Sequence, residues 1–290
     1  MATFLAFTIL LSDLATSYSH PDTLLREEYS FGSFGKATRL AISPQGFFYI
    51  VDEGRSEIQV VKAPSGSPVI TGGYGWTSTT FDRPTGIATD GLNVYVSDYG
   101  NHRIQRFDRN LVYLSSLATR DTSINEARFG YPTGVALSQS GDLFVLDGEN
   151  YRVLRFSQDA RFQQTFGGTE TGNRKITNPL KIVISHDNTI YVAEPTRILE
   201  FDYFGNLVNV LGEGVLKDVR SFCVTAASLV VLTKDSLIWY SRNGIAATSI
   251  LTSSLITAEH LQDPRDLVVT GKRMLLLDAR RLHVFSIVAR

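Results

Sequence analysis

Residues 81–117, FDRPTGIATDGLNVYVSDYGNHRIQRFDRNLVYLSSL, decide how the rest of the chain is read. They read as four short strands. Gly86-Ile87-Ala88 is a small-apolar entry run, Val94-Tyr95-Val96 alternates into Ser97-Asp98, Ile104-Gln105-Arg106-Phe107 alternates again, and Leu111-Val112-Tyr113-Leu114 follows. Asp90-Gly91, Tyr99-Gly100-Asn101 and residues 108–110 separate these runs, and they are residue types that tolerate positive φ or bond their own backbone in turns. One such sheet has two apolar faces and two open edges, so it cannot stand alone.

Working outward, the missing neighbours are copies of the same unit. One begins at Tyr131-Pro132-Thr133-Gly134 and continues through residues 141–147, 150–156 and 162–166. A weaker one begins at Asn178-Pro179-Leu180-Lys181 and continues through residues 189–194, 196–202 and 206–211. The second strands end at Asp52, Asp98, Asp147, Glu194, Thr233 and Asp278. Their spacing, roughly 39 to 49 residues, is that of propeller blades, and six fit. The expected fold is all-β, a six-bladed β-propeller, with blades at about 37–72, 83–118, 131–167, 178–212, 219–251 and 264–288.

The pattern from Pro84 to Asp108, PxGIA followed by VYVxDxxNHRIQRFD, resembles an NHL repeat, and that from Pro132 to Phe156 is a second match. Asn101-His102-Arg103-Ile104 is the run that gives such repeats their name, here with Arg103 where Leu is usual. The resemblance extends from about residue 31 to residue 285, strongest in the second and third units. It implies a β-propeller of the bacterial secreted or periplasmic type and says little about chemistry, since one fold hosts many functions.

The two ends test the architecture. The last unit supplies three strands, at residues 266–270, 273–277 and 282–288, and a spare strand stands near the start, at residues 24–32. Pairing residues 25–31 antiparallel beside residues 282–288 would close the ring and remove its exposed edge. Residues 1–20 lie outside the repeat. The apolar run of residues 2–11, followed by Ala15-Thr16-Ser17, has the length and small-residue site of a signal peptide, although no Lys or Arg precedes it. The run is far short of a membrane span. A periplasmic or extracellular location is therefore expected, with a retained N-terminal arm as the alternative.

Composition narrows the function. With 28 basic and 29 acidic residues and a net charge of −1, the chain lacks the basic excess that drives non-specific nucleic-acid binding. The single cysteine, Cys223, excludes an intramolecular disulfide and a cysteine-based zinc cage, and it is read as a buried thiol. His20, His102, His186, His260 and His283 show no HxxxH or HxH spacing, so no metal and no cofactor are expected.

Two sets of residues stand out. Asp98 with Arg103, Asp147 with Arg152 and Glu194 with Arg197 recur with the repeat, whereas catalytic groups converge once; they are read as structural ion pairs of the turns. Phe107, Phe156, Phe201 and Trp239 recur in the same way and are read as inter-blade packing. The second set faces the axis, because the first strand of each blade lines the central channel. One rank holds Thr38, Thr85, Thr133, Leu180, Arg220 and Arg265; the next holds Arg39, Gly86, Gly134, Lys181, Ser221 and Asp266. Arg39, Thr85, Thr133, Lys181, Arg220 and Arg265 are thus the candidate ligand-binding residues of a channel mouth suited to an anionic group. The alternative is that the long cations turn outward or pair with Asp218, Asp263 and Asp266.

The long connections at residues 72–82, 118–130 and 167–177 fall between blades and so on one face, where repeat proteins bind. The reading favoured is a non-catalytic scaffold that docks a protein or a small anionic ligand on that face, as a monomer or as part of a cell-envelope complex. A propeller enzyme of lactonase or lyase type and an RNA-binding NHL domain are the alternatives.

Overall fold

Short alternating runs separated by Gly, Asn and Asp turns can only fold as tight antiparallel meanders, and the computed structural model shows each unit doing so. It describes residues 23–62, 66–241, 246–251, 261 and 263–289; residues 1–20, with the candidate signal peptide, and His260 lie outside the described residues. The described strands form six four-stranded sheets. Blade 2, for example, runs Pro84–Thr89, Asn93–Asp98, Arg103–Asp108, Tyr113–Leu117, each strand paired with the next. Its fourth strand starts later than the hydrophobic run at Leu111 suggests. The Asp108 carboxylate accepts the amides of Asn110 at 2.8 Å and Val112 at 2.9 Å, and Leu111 takes φ 65° with its side chain buried. These two apolar residues therefore close the turn and do not begin the strand.

Blade 6 consists of Asp266–Thr270, Arg273–Leu277 and Leu282–Ala289, and its fourth strand is the N-terminal Thr23–Phe31. The two meet antiparallel, Leu25 opposite Ile287 and Phe31 opposite Leu282, with a register shift between Glu27 and Tyr29. The ring is thus closed by its own N-terminal strand.

The core lies between blades. Tyr49, Val51 and Ile58 of blade 1 pack with Phe81, Val94, Val96 and Phe107 on the blade 2 side. Phe144, Leu146, Val153 and Phe166 of blade 3 pack with Ile182, Ile190, Val192 and Phe201 of blade 4. Phe156 joins the cluster between blades 2 and 3, and Trp239 packs against that between blades 5 and 6. Each apolar sheet face is covered by its neighbour, which is why the repeat needs the ring. Cys223 sits on the inner strand of blade 5, Val219–Val224, where burial pushes its thiol up to about 12. Because the thiolate is the reactive form, native protein at pH 8 is expected to resist alkylation by iodoacetamide and to react only on denaturation. Rapid labelling of the native protein would contradict this burial.

Candidate functional site

In blades 2, 3 and 4 the acid that ends the second strand does more than stabilise its own turn. Asp98 is fully buried and accepts the Asp82 amide at 2.8 Å, the Asn101 side-chain amide at 2.8 Å and Arg103 Nε at 2.8 Å. Arg103 then donates to the carbonyls of Trp76, Thr77 and Thr80 at 3.1, 2.7 and 2.9 Å. Asp147 accepts Arg152 Nε at 3.3 Å and the Gly130 amide at 3.2 Å, while Arg152 donates to the Arg128 carbonyl at 2.7 Å. Glu194 accepts Arg197 Nε and the Thr177 amide, both at 2.5 Å, and Arg197 donates to the Lys175 carbonyl at 2.9 Å. Burial would raise the Glu194 pKa, but the Asn178 and Thr177 amides and Arg197 hold it below the usual value. Each pair is a fastener that pins the preceding inter-blade loop onto the same face as the turn.

What those pinned loops display is aromatic. Tyr74 and Trp76, 68% and 71% exposed, meet edge to face at 5.7 Å. Beside them Tyr99 and Tyr131 lie 5.1 Å apart, with Arg83 over Tyr99 at 4.6 Å and Arg120 over Tyr131 at 5.7 Å. His102 approaches Tyr131 at 4.1 Å, and its Nδ1 accepts the Tyr131 amide at 3.0 Å. Burial and the nearby Arg120 lower the His102 pKa, which keeps Nδ1 free of a proton and able to accept. Tyr151, 48% exposed, continues the row on blade 3. Arg83, His102, Tyr131 and Tyr151 all take positive φ, between 47° and 55°, in turn positions that normally suit Gly or Asn. No motif marks this cluster. The available signal was the choice of bulky aromatics at turn positions, combined with the loops being assigned to one face.

At the hub the structure brings together the rank Arg39, Gly86, Gly134, Lys181 and Asp266 around one small cavity. Lys181 Nζ donates to Asp266 at 2.5 Å and to Ser221 Oγ at 2.9 Å; Asp266, fully buried, also accepts the Leu40 and Leu267 amides at 2.8 and 2.9 Å. Arg39 reaches across the axis from blade 1 to the Leu180 carbonyl of blade 4 at 2.8 Å. The preceding rank behaves differently. Arg220 and Arg265 both pair with Asp263, the latter at 2.7 Å. Burial would raise the Asp263 pKa, but these two guanidinium groups hold it below its ordinary value. Thr85 donates to the Pro132 carbonyl at 2.8 Å and Thr133 to the Leu146 carbonyl at 3.4 Å, so their hydroxyls are tied to backbone. Among the described residues no three His, Cys, Asp or Glu side chains converge as a metal site would require.

Comparison with known proteins fits this architecture. A family model described as NHL repeat matches residues 81–107 and 129–156. The chain is 27% identical over 146 residues to Protein brain tumor of Drosophila melanogaster, covering 49% of this chain and 13% of that protein. It is 28% identical over 139 residues to NHL repeat-containing protein 3 of Homo sapiens, covering 42% and 40% respectively. The chain thus spans well under two thirds of these relatives. Among solved structures it is similar to a streptogramin B lyase, with TM-score 0.63, 11% identity and coverage of 88% of this chain and 80% of the other. It is also similar to a catalytically inactive virginiamycin B lyase from Staphylococcus aureus with quinupristin, with TM-score 0.63, 13% identity and coverage of 88% and 81%. At such identity the likeness shows the fold alone. Six inter-packed sheets and a ring closed by its own first strand make the chain a six-bladed β-propeller, and two of its units, in blades 2 and 3, match the NHL repeat.

Proposed function

We propose that the protein is a non-catalytic docking module that binds a protein partner on the loop face above blades 1–3. The observation that carries this is the row of exposed aromatics Tyr74, Trp76, Tyr131 and Tyr151, with the half-buried Tyr99 packed against Tyr131, flanked by arginines. Tyr, Trp and Arg on a rigid frame are the residues that dominate binding at protein interfaces, because they bury large area with little entropy to lose. A nucleic-acid reading is less well supported by the same patch: Arg120 is paired with Glu149 at 3.0 Å and Arg83 with Asp82 at 3.7 Å, so little uncompensated positive charge faces outward. The hub does not favour catalysis either: Asp266, the carboxylate that the Ser221 hydroxyl donates to, already accepts from Lys181 and from the Leu40 and Leu267 amides, so it is a poor base for activating that hydroxyl. The apolar run of residues 2–11 supports export, so the partner is sought in the cell envelope, and the mass of the chain recovered from its own cells would show whether the run is removed.

The test is affinity capture from envelope extract with wild type and a Trp76→Ala/Tyr131→Ala double variant of matched melting temperature. A captured protein is then titrated against both. Loss of two interface aromatics is expected to weaken binding by about 2–4 kcal/mol, roughly 30-fold or more. Equal affinity for both would remove this face as the docking site.

A further inference from the structure

We propose that the hub of the propeller is a binding site for one monatomic anion, chloride in ordinary salt, held between Arg39 and Lys181. This goes beyond the docking reading and does not depend on it. The cavity at the hub is lined by two cations, Arg39 and Lys181, and one carboxylate, Asp266, which leaves one positive charge without a counterpart. Excess charge taken out of water is costly unless it is paired. Both cations also have donors to spare. Lys181 uses two of its three ammonium protons, on Asp266 and Ser221, and Arg39 uses two of its five N–H groups, on the Thr38 and Leu180 carbonyls.

The backbone adds to this. The Leu40 and Leu267 amides bond to the axial carboxylate of Asp266, so at this rank the inner strand points its N–H toward the axis. Ile87, Val135 and Ile182 occupy the corresponding register positions, opposite Val96, Val145 and Val192, and they line the same cavity. Main-chain amides converging with two cations make an anion cradle. Size favours a small ion: about 20 Å³ between the two cations is room for a water-sized particle. Gly86 lets the inner strands of blades 2 and 3 approach closely beside the cavity, for a Cβ there would stand 2.8 Å from Gly134 Cα. A wider channel of about 340 Å³, lined by the later residues of all six inner strands, reaches Lys181 from the face opposite the loops and gives an ion a way in.

The experiment compares thermal unfolding of the full chain in sodium chloride, bromide and gluconate at matched ionic strength, and locates bromide in crystals by anomalous diffraction. A ligand that binds only the folded state raises the melting temperature in a saturable way. A rise of about 3 °C or more is expected in both halides over gluconate, with a bromide peak at the hub. Arg39→Met should abolish the halide-specific rise; Arg220→Met, which alters a guanidinium outside the cavity, should keep it. Identical melting in gluconate and chloride, an empty hub in the bromide map, or an undiminished halide response in Arg39→Met would each overturn the proposal. Should Arg39→Met fail to fold, the wild-type bromide map decides alone.

Discussion

Asp98→Ala is expected to destabilise the protein by about 4 kcal/mol, more than any surface charge in the chain. The carboxylate is fully buried, and three donors converge on it: the Asp82 amide, the Asn101 side-chain amide and Arg103 Nε. Gln105 Nε2 adds a fourth at 3.2 Å. Removing the acceptor strands a mostly buried guanidinium and leaves polar hydrogens without partners, each of which costs about 1–3 kcal/mol. The damage should spread into the loop that carries Trp76, because Arg103 is aimed at that loop only while Asp98 holds it. By contrast the half-exposed Lys36–Glu53 pair, at 3.1 Å, should matter by less than about 1 kcal/mol. Denaturant unfolding gives the first number, and amide exchange over residues 73–83 reads the loop. A loss below about 1 kcal/mol, or a loop as protected as before, would show that the fastener is not what holds it.

The second large effect is expected at the seam of the ring. His283 is fully buried between two carboxylates, with Nδ1 2.9 Å from Glu27 Oε1 on the N-terminal strand and Nε2 3.0 Å from Asp278 Oδ2. Both ring nitrogens can donate only when the imidazole is charged. Burial pushes the His283 pKa down, yet the two carboxylates outweigh it and raise the value above 6.5. A folded pKa above the unfolded one means that the folded state binds the proton more tightly. The stabilisation is therefore complete below pH 6.5 and fades as the pH climbs through the raised folded value. His283→Ala should cost about 3 kcal/mol in the acidic part of that window, because Asp278 loses a buried partner. Its unfolding free energy should also lack the decline that wild type shows between neutral and alkaline pH. Parallel pH profiles for the two proteins would rule out a charged clasp.

Much of this was legible in the sequence, and the parts that were not share a cause. The blades could be read because strand alternation and turn chemistry are local, and the closing strand because three strands at one end and one at the other must meet. The rank of Arg39, Lys181, Ser221 and Asp266 could also be read, since register carries from one blade to the next. Which of those cations face one another could not. Lys181 reaches over to Asp266, while Arg220 and Arg265 turn to Asp263, and those choices depend on side-chain reach across blades. The fastening of loops by Arg103 and Arg152 was hidden for the same reason: the pair is set by repeat spacing, but its third partner lies on a loop of irregular length. The aromatic row was missed because nothing in its spacing separates a displayed Tyr from a packed one. Tyr49 and Tyr191 are fully or nearly fully buried, whereas Tyr131 and Tyr151 stand on strained turns.

The seam has one more implication, for how the molecule is tethered. Thr23 pairs with Ala289 at the end of blade 6 that lies away from the inter-blade loops. The chain on either side of the described propeller, before Thr23 and after Ala289, thus meets it at one place, on the face opposite the aromatic surface.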